Sequence, residues 1–270
     1  MPELSKDTTL CISLSGRPSN IGTRFHNFLY AELGIDFVYK AFTTSDITAA
    51  IAGVRALGIR GCSVSMPFKE AVIPLVDRIE PSAAAIGSIN TIVNDDGVLT
   101  ASNTDYEAIA DLIASHGLDP AASVLVRGSG GMAKAVVAAF HGAGFRDITV
   151  LARNADAGPA LAHTYDARWV ADDPEPGARI IVNVTPLGMD GPDADALAFS
   201  PAHIAAADTV FDVVAFPAET PLIRAARNAG KSVITGAEVI ALQAAGQFAR
   251  YTGVTPTLDQ VQRASAHSRA

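Results

Sequence analysis

The 270-residue chain has little cysteine, tryptophan or charge: two Cys, one Trp, and 18% Asp, Glu, Lys and Arg together. Two cysteines without a CxxC pair, and six histidines without HExxH spacing, give no metal site. Cys11 and Cys62 each fall in a short apolar run that reads as a strand, so they are read as buried thiols rather than as a disulfide. Trp169 suggests packing only. No stretch approaches the roughly 18–20 uninterrupted apolar residues that a membrane-spanning helix needs. The start, Met1-Pro2-Glu3-Leu4-Ser5-Lys6-Asp7, lacks the basic and apolar regions of a signal peptide, so no membrane partner is expected and the expected address is the cytoplasm. Basic residues are scattered and outnumbered, 20 against 28, for a net charge of -8. That balance offers no footprint to a nucleic-acid backbone. Internal repeats and low-complexity tracts are missing too, and 49% hydrophobic residues exclude disorder.

What is present is an alternation of short apolar runs with helical stretches, the pattern of parallel sheets with crossover helices. The fold class is α/β. At roughly 150 residues per domain the length predicts two domains. In the first half, Leu10–Ser13 reads as a strand and Phe25, Phe28, Leu29 and Leu33 as one helix face ending at Gly34. Phe37–Tyr39 is the next strand. Ile47, Ile51 and Val54 mark a helix capped by Thr44 or Ser45 and closed by Gly58. Ile59–Ser65 is a third strand, and Ile89–Val93 and Val98-Leu99 flank the hairpin signal Asp95-Asp96-Gly97, so the first sheet is mixed. The second half has apolar cores at 124–126, 148–151, 180–182, 210–214 and 232–234. The boundary is placed near Thr104, with a helix over 105–116 leading out and a return near Gly236. The first domain is then 1–104 plus 237–270 and the second 105–236, the final helices, about 238–251 and 258–266, packing back on the first.

Val124–Arg127 runs into Gly128-Ser129-Gly130-Gly131-Met132-Ala133-Lys134 and then into an apolar helix. Strand, glycine turn and helix start together present backbone N–H groups and a helix dipole to a pyrophosphate. The third fingerprint position is Ala133, which gives GxGxxA with an extra Gly131. At the end of the next strand an NAD site presents an acid to the ribose hydroxyls. Here stand Arg153 and Asn154. A guanidinium pairs with a 2′-phosphate where an acid repels it, so the second domain is read as Rossmann-type with NADP as cofactor.

Three more polar clusters sit at strand ends: Ser63-Val64-Ser65-Met66-Pro67-Phe68-Lys69, Ser88-Ile89-Asn90-Thr91 and Ser102-Asn103-Thr104-Asp105. On these the sequence resembles the shikimate dehydrogenase family over nearly its whole length. The family's NVTxPxK element is similar to Ser63–Lys69, its aliphatic-Asn-Thr element to Ile89–Thr91, and its NTD element to Asn103–Asp105. Gly128–Met132 match the glycine loop, Arg153 the NADP-phosphate arginine, Asn183–Thr185 a strand end, and Asp212, Pro217 and Thr220-Pro221 the DxxYxPxxTP element. The resemblance implies a substrate domain with a mainly parallel mixed sheet, a Rossmann-type NADP domain and a cleft between them. It implies Lys69 and Asp105 as the catalytic pair, with Asn90 and Gln243 on ring hydroxyls. Cofactor contacts fall to Gly128, Ser129, Gly130, Gly131, Met132, Ala133, Arg153, Asn154, Thr185, Val213 and Gly236. Hydride transfer between a ring alcohol and its ketone needs a proton on or off oxygen, and an ammonium beside a carboxylate suits that work.

The departures fall mainly at the substrate carboxylate. Counting back from His26 puts Asn20 and Gly22 on the family's two serines, which leaves Ser13, Ser15, Asn20 or Thr23 for the carboxylate, with Ser65 in place of the motif threonine. Ser63 replaces the motif asparagine, Ala215 the tyrosine of DxxYxPxxTP, and Tyr106 a small residue. The combination resembles the divergent shikimate dehydrogenase-like branch. The expected function is NADP-dependent interconversion of shikimate, or a related hydroxylated cyclic carboxylic acid, and its ketone, with weak activity on shikimate itself. A non-catalytic sensor binding NADP or a cyclic acid is the alternative from another class, and a folate-type dehydrogenase is a third. The expected partner is a small-molecule cyclic hydroxy acid, and the chain is expected to be a monomer or a homodimer.

Overall fold

In the computed structural model, which describes residues 4–269, strands and helices alternate along the chain. Met1–Glu3, part of the amino-terminal stretch read above, and Ala270 lie outside the described residues. The elements are β1 (Thr9–Leu14), α1 (Ile21–Leu33), β2 (Phe37–Phe42), α2 (Ile47–Ala56), β3 (Gly61–Val64), β4 (Arg78–Ile79), α3 (Pro81–Ala84), β5 (Thr91–Asp95), β6 (Val98–Ser102) and α4 (Thr104–Ser115). They continue as β7 (Val124–Arg127), α5 (Gly131–Gly142), β8 (Ile148–Leu151), α6 (Ala157–Thr164), β9 (Arg168–Val170), β10 (Ile180–Asn183), α7 (Pro201–Ala206), β11 (Thr209–Asp212), α8 (Pro221–Asn228), β12 (Ser232–Thr235), α9 (Gly236–Thr252) and α10 (Leu258–Arg269). The chain divides into one unit up to Thr104 together with the residues from Ala241 on, and a second unit over Asp105–Ile240. No described helix is long and apolar enough to cross a membrane.

The first unit holds a sheet in the order β2-β1-β3-β5-β6-β4. β1 pairs in parallel with β2 and β3, β5 runs antiparallel to β3 and β6, and β4 is parallel to β6. Successive residues of β1 point to opposite faces, as the pleat requires. Ile12 and Leu14 join Ile51 and Val54 of α2, Val64, Ile89, Ile92 and Leu99 on one side. Cys11 joins Phe25, Leu29 and Tyr30 of α1, Tyr39, Phe248 and Tyr251 of α9, and Val261 and Ala264 of α10 on the other. The two thiols thus serve different cores, and both are free and buried.

Three local details differ from the sequence reading. Helix α2 is capped by Asp46, whose side chain accepts the N–H of Ala49, whereas Thr44 bonds back to Asp46 and Ser45 does not cap. The third strand is shorter than expected, Gly61–Val64. The two-residue β4 and three-residue β9 were not foreseen, because so few residues show no period.

The second unit is a parallel six-stranded sheet in the order β12-β11-β10-β7-β8-β9. Read from the other edge this is the doubly wound order, whose direction of winding reverses between β7 and β10. Helix α5 buries Ala133 and every residue from Ala135 to Phe140. On a separate core cluster, Leu125, Leu151, Ile181 and Val210 pack with Phe199, Ile204, Leu222 and Ala226. Trp169 on β9 donates its indole N–H to the Ala152 carbonyl at 3.0 Å, beside Gly158, where a Cβ would lie 2.4 Å from the indole nitrogen.

The α1 side of the first sheet contains one ionisable residue in an aromatic box. His26 is fully buried and stacks on Tyr39 with ring centroids 4.4 Å apart. Phe25, Tyr30, Phe248 and Tyr251 surround it. Burial holds its pKa down from the ordinary 6.5 to about 3, the Gln247 carboxamide opposing part of that shift. A histidine kept neutral in the fold but free to protonate when unfolded removes stability as pH falls below 6.5, down to about 3. The expected slope approaches about 1.4 kcal/mol per pH unit. Urea unfolding at pH 7, 6 and 5 checks this, and His26→Phe should flatten the dependence; an equally steep slope in that variant would move the cause elsewhere.

Candidate active site

Thr91 opposes Ser63 of β3 on one side and Ser102 of β6 on the other. The three polar clusters of the first unit therefore emerge at one end of these adjacent strands. Asn90 organises them. Its Oδ1 accepts the backbone N–H of Thr104 at 2.8 Å and the hydroxyl of Thr91 at 2.7 Å, and lies 3.1 Å from the Thr104 hydroxyl. A backbone N–H only donates, so the atom that meets it is the oxygen, and the Asn90 NH2 is the end left to donate outward. Asn90 is 3% exposed, Thr91 0% and Thr104 1%, so the orientation is held in a dry environment. The Thr104 hydroxyl also reaches Gln243 Oε1 at 3.4 Å, which joins α9 to the same group. Asn103 donates its side-chain NH2 to the Ser88 carbonyl and its backbone N–H to Ser82 Oγ, fixing the chain immediately before Thr104.

Lys69 lies half-buried in the turns that follow β3. Its carbonyl accepts the N–H of Ile89 at 2.9 Å, so its backbone is tied to the residue before Asn90. Asp105 follows Thr104 in the first turn of α4 and is 8% exposed.

The residues expected at a carboxylate separate. Ser13 opposes Ser63 across β1 and β3, and both hydroxyls bond to the Tyr39 hydroxyl, easing a pKa that burial raises. Ser15 is 8% exposed, and its oxygen accepts the N–H of Arg17 at 3.1 Å. Ser65 is half-buried, its N–H bonded to the Leu14 carbonyl. Asn20 is exposed at the start of α1 and makes no side-chain cap. Thr23 lines a groove of about 640 Å³ with Asn27, Phe28, Phe37, Val38 and His267, none of them an expected site residue.

In the second unit the expected cofactor residues lie at or just beyond the carboxyl ends of the strands, where open α/β sheets take their ligands. Gly128 has φ +125°, and a Cβ on it would come within 2.8 Å of Val184 Cγ2 and 3.2 Å of Thr185 Cγ2. Only glycine lets the turn after β7 close onto the turn after β10. Around Gly130 and Gly131 the reverse holds: a Cβ on either meets nothing within 4 Å. They stand at the start of α5, which has no side-chain cap and no acid in its first turn. Met132 follows half-buried in that first turn. Ala133 is fully buried against the sheet, and Ser129 is half-buried. Arg153 is exposed, and its guanidinium has no partner among the described residues. Asn154 is partly committed, since its side-chain oxygen accepts the N–H groups of Asp156 and Ala157 at the start of α6. An open glycine cradle, an uncapped helix start and an unpaired cation fit a dinucleotide bearing an extra phosphate.

Behind the cradle a buried network sets the remaining loops. Asp212 is fully buried and accepts hydrogen bonds from the Val214 N–H, Asn183 Nδ2 and the Thr220 hydroxyl. Burial raises its pKa above the usual carboxylate range, while those three donors pull it back. Asn183 Oδ1 takes both the N–H and the hydroxyl of Thr185, and its backbone carbonyl takes the N–H of Val213. Gly236 presses on the same segment, where a Cβ would lie 2.4 Å from the Val213 and Val214 carbonyl oxygens.

A profile of the shikimate dehydrogenase substrate binding domain matches residues 20–92. A shikimate dehydrogenase-like protein of Haemophilus influenzae is 55% identical over 267 residues, covering 98% of each chain. A shikimate dehydrogenase (NADP(+)) of Moorella thermoacetica is 34% identical, covering 92% of this chain and 90% of its own. The chain belongs to the shikimate dehydrogenase family. The solved shikimate 5-dehydrogenase of Thermus thermophilus, in complex with NADP(H) and shikimate, superimposes with a TM-score of 0.86 at 27% identity, covering 96% of this chain and 99% of that one. The first unit is accordingly a substrate-binding α/β domain of this oxidoreductase family, and the second is Rossmann-type.

Set in the family, two departures acquire a structural place. Tyr106, larger than the family residue, points its hydroxyl at Gly142 of α5, where a Cβ would lie 2.8 Å away, so the exchange is matched by a glycine. Ala215 is half-buried between Val214 and Phe216, and Phe216 is 52% exposed. Sequence reasoning missed Tyr39 and Gln247. Tyr39 gave no signal, but Gln247 lies four residues after Gln243, on the same helix face. Asp212→Ala should lower the unfolding free energy by about 3 kcal/mol, since it leaves buried donors of Asn183, Val214 and Thr220 without an acceptor. Denaturant titration of the variant measures this, and a loss under about 1 kcal/mol would mean that the loops hold without it.

Proposed function

We propose that the protein is an NADP-dependent dehydrogenase that interconverts a ring alcohol and its ketone on shikimate or a related hydroxylated cyclic carboxylic acid. The observation that carries this reading is the fixed Asn90 carboxamide, its NH2 turned outward beside the chain segment of Lys69. A carbohydrate-like ring hydroxyl is recognised by such a preset donor at little entropic cost. Asn90 and Gln243 bind ring hydroxyls. Lys69, held near the Asp105 carboxylate, donates a proton to the substrate oxygen as negative charge develops on reduction and takes it back on oxidation, and Asp105 orients that hydroxyl. NADP, when bound, accepts or supplies the hydride. Gly128–Ala133, Thr185, Val213 and Gly236 seat it, and Arg153, with Asn154, takes the 2′-phosphate.

The same reading includes weak activity on shikimate itself. Ser15 already accepts a backbone N–H and the Ser13 hydroxyl already bonds to that of Tyr39, so two of the residues expected at the carboxylate have other partners. Each charge-assisted hydrogen bond lost there costs about 1.5–3 kcal/mol.

Reduced-cofactor absorbance over a panel of shikimate, quinate and simple cyclohexane hydroxy acids tests the reading. Lys69→Ala should lower kcat by about 10²- to 10⁴-fold. No turnover of any acid, together with tight NADP binding, would favour the sensor instead. Two cofactor variants separate binding from folding. Gly130→Ala should leave thermal stability unchanged, because a Cβ there meets nothing within 4 Å, yet weaken NADP binding by calorimetry. Arg153→Ala should raise KM for NADP by about 10- to 100-fold and that for NAD far less; equal effects on both would remove Arg153 from the phosphate site.

A further inference from the structure

Gln247 stands one helical turn after Gln243 on α9 and is 3% exposed. A carboxamide so buried must satisfy two N–H donors and an oxygen within the protein. Its Nε2 lies 3.1 Å from Thr91 Oγ1, 3.3 Å from the Asn90 main-chain carbonyl and 3.3 Å from Ser63 Oγ. The Thr91 hydroxyl has a single hydrogen. With the Gln247 N–H directed at its lone pair, that hydrogen goes to Asn90 Oδ1 at 2.7 Å. The donors therefore run one way, from Gln247 to Thr91 to Asn90, and Thr104 closes the same oxygen from the other side.

We propose that Gln247 is a positioning residue for substrate binding: by donating to Thr91 it fixes the Thr91 hydroxyl, and through it the outward orientation of the Asn90 NH2. Ser63 Oγ is a further acceptor of the same carboxamide, which draws β3 into the chain. Gln247 is 3% exposed, so these hydrogen bonds are made in the interior. Asn90's role rests on the function proposed above, but its order in the ligand-free protein does not.

The test compares Gln247→Met, which keeps the volume and removes the donors, with Thr91→Val and the double variant, after thermal unfolding has established that each is folded. Nitrogen-15 relaxation of the Asn90 side-chain amide, without ligands, reads the orientation directly. Its order should fall in Gln247→Met and in Thr91→Val alike. KM for shikimate, or for the panel acid that turns over best, should rise about tenfold with kcat within about twofold and KM for NADP unchanged. The double variant should be no worse than either single one, because both break the same chain. An Asn90 amide as ordered in the variants as in the wild type, or KM effects that multiply in the double variant, would overturn the assignment. If Gln247→Met fails to fold, Thr91→Val alone decides through the same amide signal. A wild type that turns over no cyclic acid would sink the dehydrogenase reading and leave the amide measurement to decide Gln247's role.

Discussion

Asn90 Oδ1 receives a backbone N–H at 2.8 Å and a threonine hydroxyl at 2.7 Å, and the order of the group at the strand ends follows from that oxygen. A free asparagine can turn its amide either way. Here donors that cannot reverse meet one end, so the other end is a donor before any ligand arrives. The groups that enforce this come from four places in the chain: Thr91 at the start of β5, Thr104 at the start of α4, and Gln243 and Gln247 on α9. Breaking the interior arrangement leaves buried polar groups unmet, which costs more than the hydrogen bonds are worth when made.

The second unit applies the same principle with a carboxylate. Asp212 is buried, which raises its pKa, and donors from Thr220, Val214 and Asn183 offset that. Those donors belong to the end of β10, to the loop after β11 and to the start of α8. One buried acid thereby sets the backs of two loops, while the turn after β7 is set by close approach at Gly128. The glycines divide into two kinds on this account. Gly128 and Gly236 are glycine because the protein itself fills the space beside them, and Gly130 and Gly131 because the protein leaves it open.

Much of this was legible in the sequence. The α/β class, the glycine turn and the hairpin at Asp95–Gly97 follow from period and turn chemistry, and the hairpin has Asp96 and Gly97 at positive φ as that signal requires. The polar clusters at 63–69, 88–91 and 102–105 are visible as sets. What could not be read was which end of Asn90 faces outward, since that depends on Gln247, more than 150 residues away. The helix cap at Asp46 escaped because three consecutive residues were all able caps, and only backbone geometry separates them. β4 and β9 are too short to show a period, and Tyr39 lies in a strand whose apolar run conceals a hydroxyl shared with Ser13 and Ser63.

The distribution of the departures from the family pattern itself carries an argument. Around Asn90 the pieces constrain one another: Asn90, Thr91, Thr104, Gln243 and Gln247 are joined by hydrogen bonds. The residues expected at a carboxylate have separate contacts. The loop between β1 and α1 commits the Ser15 oxygen to its own turn and leaves Asn20 in solvent, and Thr23, in the first turn of α1, lines a separate groove. A network whose members constrain one another resists piecemeal change, because each loss strands a buried partner. A solvent-facing loop with independent contacts does not. On the function proposed above, change is therefore easier at the residues expected for the acid end of the ring than in the network around Asn90.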